Sequence, residues 1–164
     1  MDEKITEEQK HKEFIKKESF GANLLEGKPL LRAFIVPSDI SKEKVVFREI
    51  GDWVSANRYG DYKWNHFLNG IRAMKYNEEE KDVSFVALLF KNATTSYCAE
   101  LPYSDPENKF LSLRGVVSAI DYFITLTGKF YGNIKFYEPA KIYLQLTDLN
   151  ESILDIKEFD GKIP

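Results

Sequence analysis

Cysteine occurs once in this chain of 164 residues and histidine only twice. A lone thiol, Cys98, closes no intramolecular disulfide, and with His11 and His66 it cannot assemble a zinc site of the Cys/His kind. No apolar run reaches the ~18–20 residues that span a bilayer. The longest, FVALLF at 85–90, has strand length. No hydrophobic signal stretch opens the chain, which reads as cytoplasmic and reduced, with no membrane contact. Neither G-x-x-x-x-G-K-[ST] nor G-x-G-x-x-G is present, so the common nucleotide cradles are missing and no cofactor is expected. TGKFYG, at 127–132, reads as a strand-entry turn rather than a phosphate-binding helix start. An excess of one charge is also lacking. The 23 basic and 26 acidic residues are interspersed, which argues against a generic polyanion binder but leaves a local basic patch open.

What is present suffices for one packed domain: 43% hydrophobic and 14% aromatic residues in a chain of common domain length. TEEQ at 6–9 is a capping-box pattern that opens a charge-dense, solvated helix of about three turns. Residues 20–29 read as a connector. LLRAFIVP at 30–37 is a strand stopped by proline, and 44–54 is ambiguous between helix and extended chain. DVSFVALLFKN at 82–92 is apolar on both faces, as a central strand would be. A polar break then leads to TTSYCAELPY, completing a hairpin. Leu113, Val116, Val117, Ile120, Phe123 and Ile124 recur at helical spacing and predict a helix over 110–127, with Gly128 just past its end. Ile142, Leu144 and Leu146 share one face of a late strand entered through Pro139. The acidic last stretch looks more like a cut or a linker than a finished end.

GDYKWNHFLNGIRAMKY, at 60–76, admits two structures. As a helix it aligns Trp64, Phe67, Leu68, Ile71 and Met74, with Asp61 as N-cap. As a strand, GIRAMKY turns through NEEEKD into 83–91, and the polar loop favours this second form. In either form Arg58, Tyr59, Lys63, Trp64, His66, Arg72 and Lys75 need an account. A polar rim, with basic stems lying on aromatic faces, is the plain one. A recognition patch, with aromatics to stack bases and cations to meet phosphates, is the sharper one. Lys129, Tyr131, Lys135 and Lys141 could extend it.

No catalytic residue stands out. Cys98 with His66 is conceivable as a thiolate pair, although a small hydrophobe on a strand is the commoner fate of such a cysteine. The acidic–x–Lys triplet of metal-dependent nucleases matches eight places, Glu107-Asn108-Lys109 and Asp155-Ile156-Lys157 among them. A pattern with eight matches selects none, and Asp39 as partner carboxylate adds little.

The succession LLRAFIVP, AELPYSDP, SLRGVVSAIDYFITLTGKFYG and IKFYEPAKIYLQLTDLNESIL resembles the C-terminal accessory region of the Schlafen/AlbA-type DNA-binding proteins. It spans about the last four-fifths of the chain and rests on element order and hydrophobic spacing. The resemblance implies an accessory or sensing domain of a larger polypeptide and carries over no catalytic residue.

The expected architecture is α+β: a mainly antiparallel sheet of four to six strands, with helix 110–127 across one face and a charged N-terminal helix. Residues 1–29 form the lead-in and connector, 30–157 the domain and 158–164 a tail. The expected function is non-enzymatic binding, as an accessory or regulatory module whose partner is a protein or a flanking domain. A nucleic-acid-binding module built on 58–76, and a hydrolase or nuclease with an unrecognised carboxylate site, are the alternatives.

Overall fold

A computed structural model describes residues 5–46, 48, 62–76 and 82–155. In chain order these form helices α1 (Glu7–Lys17) and α2 (Phe20–Leu24), then strands β1 (Leu30–Pro37), β2 (Tyr62–Phe67), β3 (Gly70–Tyr76), β4 (Val83–Phe90), β5 (Thr95–Glu100), β6 (Tyr103–Asp105) and β7 (Phe110–Ser112). Helix α3 (Leu113–Asn133), β8 (Ala140–Thr147) and β9 (Ile153–Asp155) follow. Six strands make one antiparallel sheet in the order β2-β3-β4-β5-β1-β8. A small second sheet, β6-β7-β9, includes one parallel pairing. The chain is α+β, as expected.

The register sorts side chains into two faces, because successive residues of a strand point to opposite sides. One transverse row reads Trp64, Ala73, Ala87, Tyr97, Ala33, Leu144, and the next reads Asn65, Arg72, Leu88, Ser96, Phe34, Tyr143. The alanines of the first row, with Ala99, let α3 lie close. Its Val116, Phe123, Leu126 and Phe130 are buried against Leu31, Ala33, Ala87, Leu89 and Tyr97. Each buried Phe contributes about 1.5–3 kcal/mol relative to exposure. Inside, Thr95 and Thr127 are joined hydroxyl to hydroxyl at 3.1 Å. Coverage on both faces explains why β4 is apolar from Phe85 to Phe90.

Four features differ from the sequence expectation. Helix α1 carries the capping box of Thr6 and Gln9, but it is not a solvated lead-in. His11 and Ile15 are buried, Ile15 against Phe34 and Val36, and His11 Nδ1 lies 3.0 Å from the Tyr143 hydroxyl. The connector contains α2, where Gly21 sits so close that a Cβ would come within 2.8 Å of Cys98 Cβ.

Helix α3 starts at Leu113, leaving 110–112 as a strand, and continues through Gly128 to Asn133. Gly in a helix costs about 1 kcal/mol against Ala, and burial of Phe130 in the next turn offsets it. The true stop is a Schellman turn: Lys135 takes φ +52°, its N–H meets Gly132 O, and Phe136 N–H meets Tyr131 O.

The rival readings of 66–76 resolve as strand, and 62–67 is a strand as well. The hairpin pins β3 tightly, since a Cβ on Gly70 would meet Leu89 O. In the 44–54 stretch Val45 is buried, and most of the rest lies outside the described residues.

Candidate functional site

The described basic and aromatic residues of 58–76 do not gather on one surface. Arg58 and Tyr59 lie outside the described residues. Pairing of Trp64 with Ala73 and of His66 with Ile71 puts Trp64, His66 and Lys75 on the face that α3 covers. Lys63 and Arg72 fall on the other face. Lys63 lies over the Tyr76 ring at 4.6 Å, and Arg72 over the Phe20 ring at 4.9 Å. Trp64 packs against the main core, so its ring is not free to stack.

The suggested extension disperses further. Tyr131 donates its hydroxyl to Ala93 O at 2.8 Å. Lys135 ends α3, and Lys141, at the opposite sheet edge from β2, pairs with Glu7 at 3.5 Å.

The chemical alternatives fare no better. Cys98 is buried beside Leu25 and Leu30, and burial pushes its thiol up to about 12. His66 stands three strands away on the other face, so no thiolate pair forms. Glu107 and Lys109 occupy the exposed turn between β6 and β7. Asp39 closes its own turn, accepting from Ser41, with Lys42 3.4 Å away, and these hold its carboxyl down at about 2. Among the described residues no group of three or more His, Cys, Asp or Glu comes together to hold a metal.

The surface that stands out is β8. Of its odd residues, Tyr143 meets His11 of α1 and Lys141 pairs with Glu7. Its even residues, Ile142, Leu144 and Leu146, point to the α3 face yet remain 54%, 48% and 44% exposed. The reason is the placement of α3. That helix lies along β1 and β5, with Thr127 at Thr95 and Tyr122 turned toward Phe85 of β4. Val117 and Ile124 of that helix are also half exposed. Among the described residues no strand pairs with the outer side of β8. The other edge, β2, has exposed Lys63, Asn65 and His66, the polar composition that blunts an edge.

The alternation I-x-L-x-L was legible from sequence, but its exposure was not, since that depends on where α3 sits. No protein-family model, curated protein or solved structure matches the chain.

Proposed function

We propose that this domain is a non-enzymatic binding module that takes an extended segment of a protein partner as a seventh strand along β8. One observation carries the reading: an eight-residue edge strand whose outer side is unpaired among the described residues, with alternate apolar side chains left half exposed. An added strand satisfies the row of backbone donors and acceptors, and its side chains at every second position lie beside Ile142, Leu144 and Leu146. They select a segment with apolar residues at i, i+2 and i+4. An accessory domain of a larger assembly, as the sequence resemblance implies, would use such an edge to join its neighbour.

Panning a displayed random-peptide library on the protein tests this. Peptides of alternating apolar pattern should be enriched, and their binding should fall at least about tenfold, about 1.4 kcal/mol, with Leu144→Lys while the melting temperature stays within a few degrees. Enrichment of basic-residue-binding or patternless sequences, or binding indifferent to Leu144→Lys, would discard the strand-addition reading.

A further inference from the structure

The face of the sheet opposite α3 holds a separate pocket of about 270 Å³, lined by Glu18, Phe20, Phe67, Arg72, Leu88 and Phe90. Its walls are almost wholly hydrocarbon. Phe67 and Phe90 meet edge to face at 5.5 Å, and Leu88, the cross-strand neighbour of Arg72, forms the floor. Arg72 is the basic side chain of this lining. Arg72 lies over the Phe20 ring, but a ring face satisfies none of its five N–H donors. Its Nε is buried with no hydrogen-bond partner, and no carboxylate pairs with it among the described residues. A buried donor left unmade is costly, and a charged one more so.

Glu18 does not answer it. One of its carboxylate oxygens accepts from Phe20 N–H at 3.0 Å and the other from the Ser96 hydroxyl at 3.3 Å. Ser96 lies on the far side of Leu88 from Arg72, two strands and roughly 10 Å across the sheet.

We infer that this pocket is a binding site for a small monocarboxylate with an apolar body, the carboxylate taken by Arg72 and the hydrocarbon by Phe20, Phe67 and Phe90. The guanidinium fork matches a carboxylate in two parallel hydrogen bonds, which are the strong, directional kind. The volume equals that of about nine waters at ~30 Å³ each, which suits a ligand of about that many non-hydrogen atoms. A mostly apolar pocket with one well-placed charge is the ordinary build of a small-molecule site. This site shares no residue with β8 and does not depend on strand addition there.

Calorimetric titration with benzoate, phenylacetate and 4-methylpentanoate, with benzamide as the neutral counterpart of benzoate, tests it. At least one carboxylate should bind the intact protein about tenfold or more tightly than benzamide. Arg72→Gln should abolish that preference while leaving the melting temperature near that of wild type. No binding by any of the three up to about 10 mM, or benzamide binding as well as benzoate, overturns the inference on the unaltered protein alone. An Arg72→Gln variant that folds and still prefers benzoate overturns it too.

Discussion

Tyr143 ties α1 to the far edge of the sheet beside the Lys141–Glu7 ion pair, and its hydroxyl is the partner of His11 Nδ1. Tyr143→Phe leaves that buried ring nitrogen unanswered and should cost about 1–3 kcal/mol in urea unfolding. An unchanged midpoint would mean that packing alone seats the ring. Cys98 is the converse case, since burial pushes its thiol up to about 12. Iodoacetamide should therefore leave it unlabelled at about pH 8 until the chain unfolds. Labelling of the native protein at the rate of a free thiol would contradict this. At Glu18 burial outweighs the hydrogen bonds and Arg32, so its carboxyl titrates above the ordinary range. The folded state then holds that proton more tightly than the unfolded one. The stability it contributes is complete below the unfolded pKa and is lost as pH rises through the raised folded value. Glu18→Gln should gain in melting temperature over wild type between about pH 4 and about pH 8, and a widening deficit would reverse the assignment. Of these environments only that of Cys98 was legible in the sequence. A histidine, a tyrosine and a glutamate in polar or mixed stretches give no sign of their depth, which comes from elements distant in the chain.

Helices α1 and α3 show what periodicity can and cannot disclose. Phe123→Ala should cost about 3–5 kcal/mol, as for a fully buried aromatic, and Ile120→Ala less, because Ile120 is only partly buried. Ile15→Ala in α1 should cost about 2–5 kcal/mol, whereas Glu8→Ala on its exposed side should cost under about 0.5 kcal/mol. Equal denaturation midpoints for those two variants would return α1 to the solvent. The stripe of α3 was readable because five or six apolar residues repeat on it. That of α1 was not, because it rests on a narrow strip of sheet and needs only His11 and Ile15 fully inside. The end of α3 was misplaced because glycine marks a stop only where the following turn buries nothing, and here Phe130 lies one turn on. The β3 strand was legible through the charged loop after it. Its partner β2 was hidden by a lysine, an amide and a histidine that an edge strand tolerates.

At the scale of the whole molecule, the hairpin β4–β5 and the strands β1 and β8 were each readable in place, but their neighbours were not. Chain order does not reveal that β1 enters between β5 and β8. The candidate docking edge follows from that insertion, since it leaves β8 outermost among the described strands. The same insertion bears on how the protein is made. Every β1–β8 pairing joins residues more than a hundred positions apart, from Pro37 with Ala140 to Leu30 with Thr147. During synthesis at about 5–20 residues per second, β1 leaves the ribosome several seconds before the strand that will flank it. Through that interval a strand with Phe34 and Val36 on one side and Leu31 and Ile35 on the other has no outer neighbour. A nascent chain stalled before Ala140 should be cut by protease within β1 and recruit chaperones, whereas one released after Thr147 should resist. Equal resistance of the two would show that the hairpin and α3 already shelter β1 without its last companion.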